Sequence, residues 1–259
     1  MENNKDIVVT DSGDGSISLM INRAHKHNAL SRPVLKELSE AVTHYGKLES
    51  TRLIIIQGAG DRYFAAGGDL VDLSTVRTPE ATRDMSTEAR NALDAVRQCK
   101  VPVIAYLNGD AIGGGAELAL ACDMRLLSTK ARIGFIQAKL AITPAWGGGV
   151  DLCALVGSSR ALRMMSRCEM VTAELALNWG LADAIIADGP NGADMQSFIQ
   201  PMLQRSNLIM RSLKEQTSAW RTGQTYEERR NTEQQHLVAT WTHDDHWEIA
   251  DHILSKDKK

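Results

Sequence analysis

Glu117 follows three consecutive glycines, Gly113–Gly115, in "IGGGAELALACD". Twenty residues on, in the apolar run "IGFIQAKLAITPAWGGG", stands Gln137. A carboxyl group at that first position can give or take a proton. An amide at the second can hydrogen-bond but cannot exchange a proton near neutral pH. The glycine turn opens a helix whose first N–H groups lack internal partners and sit at the positive end of its dipole. A carbonyl oxygen gaining negative charge could be held there. A second small-residue turn, "FAAGGDL" (Phe64–Leu70), could bring another backbone N–H to the same oxygen. Two such donors would form an oxyanion hole. The plainer alternative is that both are ordinary tight turns, and that Glu117 only favours a helix N-terminus.

The glycine clusters fit no phosphate loop. Gly113–Gly115 lacks the Lys-Ser or Lys-Thr of a nucleotide-binding loop, and "GAGDRY" has Tyr63 where a dinucleotide fingerprint needs glycine. The histidine-aspartate cluster "HDDH" (His243–His246) lacks metalloprotease spacing and reads as a solvated or subunit-contact stretch, with no metal expected. His25 and His27 read as surface residues, and Cys122 as core.

The elements that must position these residues alternate between strand and helix. Asp6–Thr10 and Ser16–Asn22 flank "DSGDG" as a hairpin, and Ser31 and Pro33 mark a helix start. "RLIIIQGAG" and "VPVIAYLNG" read as buried strands ending in glycine, and "DMRLLS" as a third. This order predicts an α/β fold with parallel crossovers. Val71–Arg90 is polar, contains Pro79 and is expected to be a mobile stretch before a helix ending near Cys99. From about Met195 onward the pattern is helical, with a turn near Gly223 and a tail, "SKDKK", expected to fray.

The length suits one large domain, or one domain with an appendage. The net charge of -3 gives no basic face for nucleic acid or an anionic membrane. The apolar runs are too short to span a bilayer, and the N-terminus does not read as a secretory signal. The four cysteines show no paired spacing and read as buried free thiols, so a cytoplasmic setting is expected.

The motifs "FAAGGDL" and "NGDAIGGGAELALACDMRLLS", with "RAHKHNALS" and "ALNWGLADAII", resemble the crotonase (enoyl-CoA hydratase/isomerase) superfamily. The resemblance covers nearly the whole chain. It implies a spiral core of ββα repeats over residues 1–194. A helical region, residues 195–259, would pack into a homotrimer or a dimer of trimers. It implies an acyl-CoA thioester substrate and no further cofactor, coenzyme A entering as part of the substrate. It places the oxyanion donors at the N–H groups of Gly68 and Gly114, the adenine near the backbone of Ala66 and Gly68, and a phosphate contact at Lys26. The usual Arg-Pro of the early loop reads Arg23-Ala24 here.

Hydratases of this superfamily use two glutamates on one water. One matches Glu117; the other aligns with Gln137. Three reactions remain: a single-base double-bond shift, a one-glutamate hydration, and decarboxylation of a malonyl-type thioester, which needs no base to start. "TPAWGGG" (Thr143–Gly149) and "NTEQQHLVATW" (Asn231–Trp241) resemble the ethylmalonyl-CoA decarboxylase-like members and favour the last. Trp146 would then shape the acyl pocket. A non-catalytic, partner-binding use of the fold is the alternative from another class; retention of the glycines and Glu117 argues against it.

Overall fold

Strand β3 (Leu53–Gly58) is apolar along nearly its whole length because it is covered on both faces. The same holds for β5 (Val103–Leu107), every residue of which is buried. In the computed structural model, which describes residues 5–256, both lie at the centre of a six-stranded sheet. The N-terminal hairpin pairs β1 (Ile7–Asp11) antiparallel with β2 (Ser16–Ile21). From β2 the sheet continues in parallel through β3, β5, β7 (Met124–Ser128) and β10 (Ala184–Ile186).

A second sheet of four short strands orders β4 (Tyr63–Ala65), β6 (Asp110–Ile112), β8 (Arg132–Gly134) and β9 (Met170–Thr172). Each parallel step in these sheets is a strand-to-strand return with a helix or turn between. This is the α/β architecture expected from the sequence.

Helix α1 (Arg32–Lys47) starts after Ser31, whose side chain makes no cap hydrogen bond. Helix α2 (Pro79–Arg97) corrects the expectation of an irregular Val71–Arg90. Proline is compatible with the first turn, and the Thr78 hydroxyl accepts from the Ala81 N–H at 3.2 Å, so Pro79 starts this helix rather than breaking one. Only Asp72–Thr75 before it is a short 3-10 turn. Helix α3 (Gly114–Ala121) is apolar all round apart from Glu117, and all its residues are buried. Helix α4 (Gly148–Ser166) packs beside it, and α5 (Ala173–Trp179) leads to β10.

From Ala193 onward the described residues form helices: α6 (Ala193–Leu203), α7 (Asn207–Arg221), α8 (Tyr226–Trp241) and α9 (Asp244–Lys256). Gly223 has φ of +69° at the turn between α7 and α8. Ser255 and Lys256 are the end of α9, so the expected fraying does not begin there; Asp257–Lys259 lie outside the described residues.

The cysteines are unpaired, but they are not uniformly buried as expected: Cys153 is exposed and Cys168 half-buried. Cys153 is on α4, and Cys168 is in the turn between α4 and β9. Cys122 is deeply buried, which pushes its thiol up to about 12 and leaves it inert as a nucleophile. No helix among the described residues is long and apolar enough to cross a membrane.

Candidate active site

The turn before α3 is a close crossing of backbones. Gly113 has φ of +55°, a conformation that favours glycine. Gly115 lies so near the Ala65 carbonyl that a side chain would overlap it. The Phe64–Leu70 loop meets this turn: a methyl added at Gly67 would lie 3.6 Å from the Gly114 nitrogen. Gly68 forms a bridge with Leu30, in which Leu30 donates to Gly67 O at 2.8 Å and Asp69 donates to Leu30 O at 3.1 Å. That bridge uses the neighbouring N–H groups and spares Gly68. Among the described residues, neither the Gly68 nor the Gly114 N–H donates to a protein acceptor. The two expected oxyanion donors are therefore close in space and unspent.

Glu117 lies one turn into α3 and is 2% exposed. Its Oε2 accepts from the Trp146 N–H at 2.8 Å and the Gly148 N–H at 3.0 Å. Its Oε1 accepts from Gln137 Nε2 at 3.1 Å. Burial pushes the Glu117 carboxyl above the usual carboxylate range. The N–H groups of Gly148 and Trp146 and the Gln137 amide oppose that shift without overcoming it. A carboxyl raised in this way holds its proton to higher pH than a solvent-exposed glutamate does.

Gln137 is brought to Glu117, but not on a strand. It begins a 3-10 turn, Gln137–Leu140, closed by Ala141 in the left-handed region. Strand β8 stops at Gly134; beyond it Phe135 and Gln137 are buried, while Leu140 and Ile142 are exposed. Gln137 Oε1 is buried and has no partner.

Trp146 is buried, with its indole across the mouth of both glycine turns. A methyl at Gly68 would sit 3.5 Å from Trp146 Cη2, and one at Gly114 would overlap the ring.

Lys26 ends a short 3-10 turn and is half-exposed, its Nζ 3.9 Å from Asp69 Oδ2. The Ala66 N–H is already used by the His27 carbonyl at 3.1 Å. Neither residue touches Glu117; both lie along the rim formed by the Gly68 loop. His27 packs against Tyr63, with ring centroids 4.7 Å apart. His243 accepts from the Asp245 N–H, and no cluster of three metal-ligating side chains occurs among the described residues.

Sequence reasoning missed several supporting residues. Gly148 must lack a side chain, since a Cβ would come within 2.5 Å of Glu117 Cγ. Arg97 donates to the Trp146 carbonyl at 3.2 Å and to Asp151 Oδ2 through Nε at 3.0 Å and Nη2 at 2.8 Å. Buried Arg23 donates to Asp69 Oδ2 at 3.1 Å. Asp69 Oδ1 in turn accepts from the Val71 N–H at 3.1 Å, fixing the loop after Gly68. Burial would raise the Asp69 carboxyl, but Arg23 and these N–H groups hold it below the usual range. The run "WGGG" was the one visible signal for Gly148; nothing in the spacing pointed to Arg97 or Asp151.

The fold recurs in solved structures. An enoyl-CoA hydratase from Bacillus anthracis superposes with a TM-score of 0.89 over 97% of each chain at 28% identity. This is the crotonase fold, with a buried acid and two free N–H donors at its helix mouth. The enoyl-CoA hydratase/isomerase family matches residues 12–257, and the chain belongs to that family. Among curated relatives, the ethylmalonyl-CoA decarboxylase of Xenopus laevis is 29% identical over 90% of this chain and 78% of its own length. The crotonyl-CoA hydratase of Syntrophomonas wolfei is 32% identical over 74% of each. The protein is an enzyme of this acyl-CoA family.

Proposed function

We propose that this enzyme decarboxylates a short malonyl-type thioester, such as methylmalonyl- or ethylmalonyl-CoA. One observation carries the reading. The partner of Glu117 is an amide, Gln137, hydrogen-bonded directly to it where a two-carboxylate hydration would need a second acid. Among the described residues no other carboxylate hydrogen-bonds to Glu117, and Asp69 is committed to Arg23.

The thioester oxygen sits between the Gly68 and Gly114 N–H groups. The bond from the α-carbon to the carboxylate breaks, carbon dioxide leaves, and its electron pair becomes the enolate. The two N–H groups stabilise the oxygen that carries the new charge; one such donor is commonly worth about 3 kcal/mol. The Glu117 carboxyl then gives its proton to the α-carbon, and the resulting carboxylate is reprotonated from water.

The relatives named as decarboxylase and as hydratase are about equally distant, so they support the family chemistry shared by both. Exposed apolar side chains on the C-terminal helices, including Trp220, Trp241 and Ile253, support assembly as a homotrimer or a dimer of trimers.

The test is a mass-spectrometric screen of crotonyl-, 3-enoyl-, methylmalonyl- and ethylmalonyl-CoA. Loss of carbon dioxide from the last two is expected. Gain of water by crotonyl-CoA, or a double-bond shift in the 3-enoyl substrate, with both malonyl thioesters untouched, would replace this reading.

A further inference from the structure

The indole of Trp146 spans the two glycine turns that hold the free N–H groups, and it has little room to leave. Its ring fills the space that a side chain on Gly114 would take and borders the space beside Gly68, with Leu73 close on the Gly68 side. Its own peptide is pinned at both ends. The N–H is given to Glu117 Oε2 at 2.8 Å, and the carbonyl accepts from Arg97 Nη2 at 3.2 Å. Arg97 is itself fixed by two N–H groups on Asp151. The next residue, Gly147, has φ of +95° and packs on the Arg97 guanidinium, where a side chain would come within 2.8 Å of Nη2. The fixed peptide sets where the side chain starts, and burial of the ring against the two glycine turns restricts its rotation, which makes it a wall rather than a lid.

The same residue therefore bonds the acid and covers the oxygen site. Trp146 links the two parts of the site, its ring against both glycine turns and its N–H on the Glu117 carboxyl, so an acyl group running from the oxygen site toward the acid passes this residue. The acyl chain then meets the indole directly. We propose that Trp146 is the chain-length determinant of this enzyme: its ring closes the acyl pocket just beyond the α-carbon and restricts the substrate to short acyl groups. This rests on Gly68 and Gly114 being the thioester donors, but not on which reaction follows.

Binding tests it without reference to turnover. Dissociation constants of butyryl-, octanoyl- and dodecanoyl-CoA are measured by calorimetry for the native protein, Trp146→Phe and Trp146→Ala. The native protein is expected to bind butyryl-CoA most tightly. Trp146→Ala should raise the octanoyl-to-butyryl affinity ratio by about tenfold or more, since each added methylene in an apolar pocket is discriminated on that scale. Trp146→Phe, which keeps a ring and carries the test if the alanine variant does not fold, should fall between. An unchanged ratio in a folded variant, an equal loss of affinity at every chain length, or a native preference for the longer chains overturns the inference while leaving the acyl-CoA reading intact. No binding of any thioester by the native protein would overturn both.

Discussion

Glu117 is held by three donors, two of them backbone N–H groups, and it is still shifted upward by burial. The sign of its pH dependence follows. A step that uses its proton runs at full rate below the raised pKa and falls as pH rises through it. The pH profile of kcat should therefore descend on the alkaline side in the native enzyme and lose that descent in Glu117→Gln. Stability has the same direction. Between the unfolded and the raised folded value, the native state binds more protons than the unfolded one, so stability falls as pH rises through that window. Glu117→Gln should accordingly melt higher than the native protein at neutral pH, a stability gain at the expense of function. The complementary change, Gln137→Glu, rebuilds a carboxylate pair. It should give or raise hydration of crotonyl-CoA, read as loss of the conjugated thioester absorbance, and lower the rate of carbon dioxide release. Both partners were legible in the sequence, because their types and their twenty-residue separation survive in the chain. The direct hydrogen bond between them was not, because it depends on a 3-10 turn that an apolar run does not announce.

At the scale of elements, α3 carries the site from end to end. Its first N–H, of Gly114, has no protein acceptor among the described residues, its first turn bears Glu117, and its last carbonyls, of Leu120 and Ala121, accept from Arg221 on α7. Small residues are required where it touches its neighbours. Gly148→Ala should drive a methyl into Glu117 and cost about 1–3 kcal/mol, the usual cost of overpacking. A lowered urea midpoint together with a fall in kcat would register it, and a silent variant would show that the Glu117 seat is looser than described. The strands and helices themselves were readable: unbroken apolar runs predicted β3 and β5, and the glycine turn Gly113–Gly115 announced the start of α3. Pro79 misled because a proline marks either a break or a start. Only the Thr78 cap, a matter of side-chain geometry, decides which.

On the scale of the whole molecule, the C-terminal helices are tied to the core by buried charge. Lys214 on α7, 3% exposed, donates to Asp123 Oδ1 at 2.5 Å and to the Arg97 carbonyl at 3.1 Å. Asp123 also accepts from the Val103 N–H at 2.8 Å, on β5. Lys214→Ala removes two charge-assisted hydrogen bonds but leaves Asp123 half-buried beside Arg221, 3.6 Å away, and should cost about 1–3 kcal/mol; equilibrium denaturation measures it. This network joins residues more than ninety positions apart in the chain, at Asp123 and Lys214, and no local pattern foretells such a pairing. The alternation of strand and helix, by contrast, set the α/β class without it. The account turns on one acid, acting after carbon dioxide has left. The most direct measurement is turnover of ethylmalonyl-CoA in heavy water, with the product examined by NMR. The account predicts that the native enzyme releases carbon dioxide and places a single deuterium on one face of the α-carbon, and that Glu117→Gln still releases carbon dioxide, more slowly, with deuterium on both faces. Complete loss of carbon dioxide release in Glu117→Gln, or a native enzyme that releases none, would contradict it.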